Sequence, residues 1–265
     1  MSKSIFEAAR ECLFTTGIDT KISFTAQTCD AVIAGILSNE PLEIRRVLDP
    51  GRPIQPRMVA IKDLPRRNFH SVEGHAALMH AIAHIEFNAI DLAWDAIYRF
   101  QDLPDEYYAD WARIAAEEAS HFSLIQVYLN KLGYQYGDFD AHSGLWDMAV
   151  ETDYDVMVRM ALVPRVMEAR GLDVTPGIMH KLEQSGYQEA ADILQVIYTE
   201  EHGHVEVGNK WFNFLCKQRD IPPLATFKSL VKRHAGGKIR KPINDRARRD
   251  AGFSEEELLY LHSVI

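Results

Sequence analysis

Cysteine is scarce in this sequence and no long apolar run occurs. The first absence argues against disulfide-stabilised and zinc-knuckle proteins, and the second against membrane-spanning ones. The three cysteines among 265 residues are far apart and form no C-x-x-C pair, so neither a zinc knuckle nor a disulfide framework is indicated. No run approaches the roughly 18 consecutive apolar residues that would span a membrane, and residues 1–7 do not resemble a secretory signal. We therefore expect a reduced, cytoplasmic protein that does not insert into membranes.

Acidic residues are in excess overall but almost missing from one segment. The formal net charge is −9, yet residues 228–249 contain nine basic residues and the single acid Asp245, which leaves +8 on this segment and −17 on the rest of the chain. Such a basic segment could bind an anionic partner, including nucleic acid, or lie against the acidic body of its own protein. Gly236, Gly237 and Pro242 favour the second interpretation, in which the segment is an extended strap.

The alternation of apolar and polar residues that marks β-strands is also missing, whereas helical periodicity is found through most of the chain. Residues 4–37 are predicted to be helical with a break near Gly17. Residues 38–71 are predicted to be irregular, because prolines interrupt them repeatedly. The irregular stretch is long for a compact domain, so we expect it to pack along the surface or to shape the mouth of a pocket.

Four long helices are predicted after residue 71. Pro104 favours the start of the second helix and Gly133 its end, while Gly171 is interpreted as the end of the third. The expected ranges of the four helices are about 72–101, 104–133, 146–170 and 187–217.

Shorter helices complete the prediction, near 176–184, near 223–234 and after Ser254, which forms a capping-box pattern with Glu257. The fold class is therefore all-α, a four-helix bundle with additional N-terminal helices and a C-terminal extension. We expect one compact domain in three parts. These parts are N-terminal helices and irregular structure at 1–71, the bundle at 72–218, and a helix with the basic strap at 219–265.

A glutamate interrupts the apolar stripe of each long helix. These four residues are Glu86, Glu118, Glu168 and Glu201. Burial of an unpaired carboxylate costs free energy because the group loses its hydration, and no lysine or arginine shares the stripes to compensate the charge. A cation from outside the chain is therefore indicated.

Two of the glutamates begin Glu-x-x-His motifs, Glu118 with His121 and Glu201 with His204, and the i, i+3 spacing places both side chains of a motif on one helix face. A single such motif is expected by chance in a chain of this composition. The repeat makes it informative, because the two lone glutamates precede the two motifs by 32 and 33 residues. The chain therefore contains the same half-site twice.

Four facing helices would bring these residues to one level of the core, which is the di-metal carboxylate set of ferritin-like bundles. The predicted metal ligands are Glu86, Glu118, His121, Glu168, Glu201 and His204. Carboxylate and imidazole ligands suit iron or manganese, so two Fe ions are expected, with Mn or a mixed Fe/Mn pair left open. Tyr198, Asp91 and Asp192 are candidate outer partners of the ligands, and His80 and His84 are interpreted as packed or hydrogen-bonded histidines.

Longer passages around these residues carry a resemblance to a known family. They are HAIAHIEFNAID (80–91), AAEEASH (115–121), YGDFDAH (136–142), PRVMEARGLD (164–173) and KPIN (241–244). From Gly51 onward the chain resembles the bacterial ferritin-like family catalogued as domain of unknown function 455. The resemblance implies a ferritin-like fold and a metal site, and it carries no established substrate. Asp140, where the family pattern leads us to expect proline, is a departure away from the ligands.

Three functions stay open at this point. The first is an O2-dependent oxidase or hydroxylase, in which two ferrous ions reduce dioxygen and a bound small-molecule substrate is oxidised. The second is non-enzymatic iron binding, ferroxidase activity or storage, which the length of chain outside the bundle disfavours. The third is RNA hydroxylation with the basic segment on the phosphates, an analogy at the level of the fold alone. The sequence favours an enzyme, and it gives neither the substrate nor the oligomeric state.

Overall fold

The structure is a computed structural model that describes residues 3–64, 67–235 and 239–265. Within these ranges the regular structure is helical, and β-type pairing is limited to isolated bridges. The predicted all-α class is therefore confirmed. Two predictions partly concern residues outside the described ranges. Pro65 belongs to the region predicted to be irregular, and Gly236, Gly237 and Lys238 belong to the predicted basic strap.

The structure divides into two compact units, Met1–Val150 and Glu151–Ile265. The first unit, called unit 1, contains four helices and a fifth that ends at the boundary. They are α1 (Ile5–Phe14), α2 (Ile18–Ile33), α3 (Val72–Arg99), α4 (Asp105–Lys131) and α5 (Gly144–Glu151). A 3-10 turn at Ile61–Asp63 is the regular element described between α2 and α3.

Local chemistry explains where the helices of unit 1 begin and end. The Ser4 hydroxyl and the Glu7 carboxylate form a capping box at the start of α1, and Gly17 precedes α2 in extended conformation. Pro104 stands directly before α4, where its missing N–H costs nothing. Gly133 follows α4 with a φ of 82°, a left-handed conformation that glycine adopts without strain.

Helix α3 lies at the centre of unit 1. It is buried on nearly all sides, from Gly74 to Arg99, as expected for a helix that has neighbours all round. Helices α4 and α1 pack against it, and α2 packs against α4. The N-terminal helices therefore belong to the same core as α3 and α4.

The second unit, called unit 2, contains one long helical segment with an irregular middle and several further helices. They are α6 (Val156–Leu162), a π-helical segment (Val163–Glu168), α7 (Ala169–Gln184), α8 (Gln188–Gln218), α9 (Pro223–His234), α10 (Asp245–Asp250) and α11 (Glu255–Ser263). Helix α8 packs against α6, the π segment and α7, while α9 packs on α6 and α10 on α7. The C-terminal helices are therefore part of the core of unit 2.

The predicted third helix, about 146–170, is wrong at both ends. Residues 144–151 form the separate helix α5, and the long helical segment starts at Val156, where the Asp155 carboxylate caps it. Gly171 does not end the helix but lies inside α7, which continues through Pro176 to Gln184 and includes the short helix predicted near 176–184. Helix α10 was not predicted.

The expected division into three parts, 1–71, 72–218 and 219–265, stays a prediction. Helices α1 and α2 pack with α3 and α4, and α9 to α11 pack with α6 to α8 or with one another. None of the helices in the described ranges is long and apolar enough to cross a membrane.

Candidate metal centre

Three of the six predicted ligands converge in unit 1. Glu86 comes from α3, and Glu118 and His121 come from α4, one turn apart. Nδ1 of His121 lies 3.2 Å from Oε2 of Glu86 and 3.4 Å from Oε2 of Glu118. One ligand atom from each residue lies within 4.8 Å of the other two, and all three residues are buried. These residues, called the unit-1 set, could hold a metal ion.

An aromatic cluster includes the chain neighbours of two residues of the unit-1 set. Phe87 and Phe122, the chain neighbours of Glu86 and His121, are fully buried, and their ring centroids are 5.2 Å apart. Tyr136 packs on both rings, at 5.4 Å from Phe87 and 5.0 Å from Phe122. The three ligands of the unit-1 set are themselves buried, each at 3% exposure or less.

Burial and mutual charge shift the pKa values of the unit-1 set. Burial, and next the charge of Glu118, raise the pKa of Glu86. Burial alone would lower the pKa of His121, but hydrogen bonds to Glu118 and Glu86 outweigh it and raise the pKa to about 11. The imidazolium compensates the carboxylates when no metal is bound, so a metal ion bound here would displace protons.

The remaining three ligands, called the unit-2 set, are Glu168, Glu201 and His204, and all are buried. Nδ1 of His204 lies 3.7 Å from Oε2 of Glu201 on α8. Glu168 is the last residue of the π segment. A Cβ built on Gly171 would lie 4.0 Å from Cδ of Glu201, so the residue one turn after Glu168 on α7 lies near the Glu201 carboxylate.

The predicted outer partners each have a hydrogen bond to a residue outside the two ligand sets. Asp91 is buried and accepts a hydrogen bond from the Lys21 ammonium, so its charge is already compensated. Asp192 is exposed and accepts from Gln188 Nε2 at 2.8 Å, which is not a position from which to orient a buried imidazole. The Tyr198 hydroxyl accepts from Asn244 Nδ2 at 3.3 Å, and its role at a metal site stays a prediction.

The interpretation of His80 and His84 as hydrogen-bonded histidines is confirmed. Nε2 of His80 accepts a hydrogen bond from the Gly137 N–H at 2.9 Å. Nδ1 of His84 accepts from the Tyr136 hydroxyl at 2.8 Å, and its Nε2 donates to the His142 carbonyl at 3.2 Å. Burial lowers the pKa of His80 to about 4 and that of His84 to about 3.

The described part of the basic segment lies against unit 2. Arg248 is buried and binds both carboxylate oxygens of Asp173, at 2.9 and 2.7 Å. The Arg170 guanidinium donates to the carbonyls of residues 240, 241 and 242. These contacts agree with the interpretation as a strap along its own protein, and a nucleic acid partner stays a prediction.

Buried cations that the sequence reasoning missed include Lys21 in unit 1 and Arg165 in unit 2, neither of which is exposed to solvent. Lys21 shares one buried stripe of α2 with Thr25 and Cys29, so its place in an apolar periodicity was a usable signal. Arg165 is bonded to Asn209 and Glu257, which lie 44 and 92 residues further along the chain. No local sequence pattern predicts hydrogen-bond partners that are so distant along the chain.

The fold and these residues define the class of protein: an all-α protein whose buried glutamate and histidine side chains could bind a metal. The family model described as "Protein of unknown function (DUF455)" matches residues 14–259, and the chain belongs to that family. A protein of Haemophilus influenzae, described as an uncharacterized protein, is 47% identical over 219 residues, which are 80% of this chain and 76% of the relative. No solved structure matches the chain.

Proposed function

We propose that the unit-1 set and the unit-2 set together hold two metal ions, iron in preference to manganese, and that the pair reacts with dioxygen to oxidise a small substrate. The observation that carries the proposal is the convergence of Glu86, Glu118 and His121 within 4.8 Å in a buried place. The joining of the two sets is supported by the sequence, in which a lone glutamate precedes Glu-x-x-His by 32 and then by 33 residues.

The donor atoms fit this group of metals. Four carboxylates and two imidazoles are hard and intermediate ligands of the kind that iron and manganese take, whereas zinc and copper sites rich in sulfur need thiolates. Burial raises the pKa of Cys12 and of Cys216 to about 11, and it also raises that of Cys29. All three cysteines are therefore thiols at neutral pH when no metal is bound, and none of them belongs to the unit-1 or the unit-2 set.

The metal pair would supply electrons for dioxygen, and the residues of the chain would supply the surroundings of that chemistry. Glu86, Glu118 and His121 are buried away from water, which strengthens every electrostatic interaction there. His121 and Glu86 hold protons that a bound metal would release. Glu118 and Glu201, each one turn from a histidine, are placed to bind a metal together with that imidazole.

Anaerobic titration of the metal-free protein with Fe(II) tests the proposal. We expect two ions per chain, and we expect Glu118→Gln and Glu201→Gln each to weaken the binding of both ions. Matched controls are the adjacent residues, Glu117→Gln at a half-buried position and Glu200→Gln at an exposed one, which should bind two ions normally. Saturation well below two ions in the unmodified protein would contradict the proposal.

The same titration distinguishes one joint site from two separate ones. Separate sites would lose a single ion in each variant and keep the other with its original affinity. Exposure of the loaded protein to O2 then separates an oxidase from a storage protein. We expect oxygen consumption to stop at stoichiometric oxidation, whereas continued uptake with mineral formation would favour storage.

A further inference from the structure

The π-helical segment Val163–Glu168 carries one predicted ligand at its end and contains a proline near its start. Pro164 has no N–H and its ring clashes with the carbonyl four residues earlier, which disfavours an ordinary α-helical turn at this position. A π turn accommodates one additional residue. Because each α-helical residue advances about 100°, an added residue turns the following face of the helix by about that angle.

The direction of Glu168 therefore depends on whether the π segment is maintained. π-Helices are rare, and they occur mostly as single turns inside α-helices, frequently at functional sites. A segment of this kind persists when its surroundings hold it in place. Two sets of contacts in unit 2 do so.

The first contact is a close approach of Pro164 to α8. A Cβ on Gly208 would lie 2.4 Å from Cβ and 2.5 Å from Cγ of Pro164, so only glycine leaves room for the proline ring there. The second contact is made by Arg165, whose guanidinium is completely buried. Its carbon Cζ lies 4.3, 4.1 and 4.8 Å from three phenyl ring centroids, those of Phe212, Phe227 and Phe253.

Polar contacts orient the guanidinium within this aromatic cage. Nε of Arg165 donates to Asn209 Oδ1 at 2.6 Å, and Nη2 donates to Glu257 Oε1 at 2.5 Å. The other oxygen of Glu257 accepts from the Ser254 N–H at 3.0 Å, in the capping box of α11. Asn209 is itself held by the Ala251 carbonyl, to which it donates at 2.7 Å. The C-terminal helices thus clamp the π segment through one side chain.

We propose that Arg165 is a positioning residue, and that Glu257 and Asn209, by fixing Arg165, hold the π segment so that the Glu168 carboxylate points to its metal. The inference rests on the proposed function, because only there is Glu168 a metal ligand. It gives the C-terminal extension a role in orienting that ligand, in addition to its packing in the core. The family match ends at residue 259, so it includes Arg165, Asn209 and Glu257.

Variants at Glu257 test the proposal without removing the buried arginine. Glu257→Gln keeps the size of the side chain and an acceptor for the capping box, but it removes the charge that faces Arg165. Glu257→Asp keeps the charge on a shorter side chain, so we expect it to retain part of the stabilisation of the π segment that Glu257→Gln loses. The matched control is Glu255→Gln on the same helix, which breaks the exposed ion pair of Glu255 with Arg249.

Hydrogen exchange on the metal-free protein is the first readout. A hydrogen bond to a buried charge is worth roughly 1.5–3 kcal/mol, so we expect Glu257→Gln to speed exchange in residues 163–171 by about 10- to 100-fold. Glu255→Gln should leave that region unchanged. Unchanged exchange at 163–171 in Glu257→Gln would overturn the inference, because the clamp would then not hold the segment.

Fe(II) affinity is the second readout. Loss of a partner that orients a ligand typically costs about 10- to 100-fold in metal affinity, and we expect that loss in Glu257→Gln, a smaller one in Glu257→Asp and none in Glu255→Gln. A Glu257→Gln protein that binds Fe(II) as tightly as the unmodified protein would overturn the positioning role. An unmodified protein that binds no iron would instead overturn the proposed function, while the exchange readout still decides whether Glu257 holds the π segment.

Discussion

The two ligand sets have the same sequence pattern but different support. In unit 1, Glu86 projects from α3, an uninterrupted helix at the centre of its unit, and its position follows from ordinary helical geometry. In unit 2, Glu168 ends a π segment that contains Pro164 and that is bonded to the C-terminal helices through Arg165. A repeated motif therefore does not imply a repeated structural solution, and we expect the unit-2 set to be the more sensitive to distant substitutions.

The largest effect is expected from removing one buried cation in each unit. Arg165→Met leaves Glu257 buried without its cation, and Lys21→Met does the same to Asp91, so each should lower the free energy of unfolding by about 3–5 kcal/mol. Urea denaturation measures both losses. Fe(II) titration then distinguishes the two ligand sets, because Arg165→Met should lose more Fe(II) affinity than Lys21→Met. Equal losses of Fe(II) affinity in the two variants would contradict the view that the unit-2 set is the more sensitive to distant substitutions.

Acid should destabilise unit 1 through its buried neutral histidines. Burial lowers the pKa of both His75 and His80 from the ordinary value of 6.5 to about 4, so the unfolded chain binds these protons more tightly than the folded one. Their contribution to stability is complete above pH 6.5 and is lost as the pH falls from there towards 4. The loss is roughly 1.4 kcal/mol per pH unit for each histidine.

Urea denaturation at pH 7, 6 and 5 checks this expectation. His80→Gln keeps an acceptor for the Gly137 N–H. We expect it to reduce the loss of unfolding free energy between pH 7 and pH 5 by the contribution of one buried histidine, whereas His70→Gln at an exposed position should leave that loss unchanged. An acid dependence that His80→Gln leaves intact would contradict the assignment.

The smallest predicted effects come from two glycines of α8. Gly208→Ala forces the Pro164 ring of the π segment to move, because the new Cβ would lie 2.4 Å from the Cβ of Pro164, and overpacking of this kind costs about 1–3 kcal/mol. Gly203 is exposed with no atom within 4 Å of an added Cβ, so Gly203→Ala should stabilise the helix by about 0.5–1 kcal/mol. Thermal unfolding of both variants measures the contrast, and a destabilised Gly203→Ala or a stabilised Gly208→Ala would refute it.

Helix ends that depend on local chemistry could be predicted from the sequence. Helices α3, α4, α8 and α9 lie within about two residues of their predicted ranges, since Pro104 and Gly133 act through their own backbone preferences. The third helix was predicted wrongly because Gly171 and Pro176 both lie inside one continuous helix, α7. Glycine weakens a helix interior without ending it when tertiary packing supports the helix, and the packing of α7 on α8 is not visible in the local sequence.

The candidate site shows the same division. Glutamates in apolar stripes and their repeated spacing identified the six predicted ligands, and all six are buried. The partners of Asp91 and Arg165 could not be predicted, because they depend on tertiary contacts between distant positions. Asp91 meets Lys21, 70 residues earlier, and Arg165 meets Glu257, 92 residues later. Periodicity identifies the face of a helix but not the residue that it will meet.

An anomalous difference map at the iron edge, from crystals loaded anaerobically with Fe(II), tests the central claim most directly. We predict two iron peaks about 3.5–4 Å apart, the separation typical of two-metal sites, with ligands from both the unit-1 set and the unit-2 set. A single peak bound by Glu86, Glu118 and His121 alone, or two peaks too far apart to share a carboxylate, would contradict the joint site.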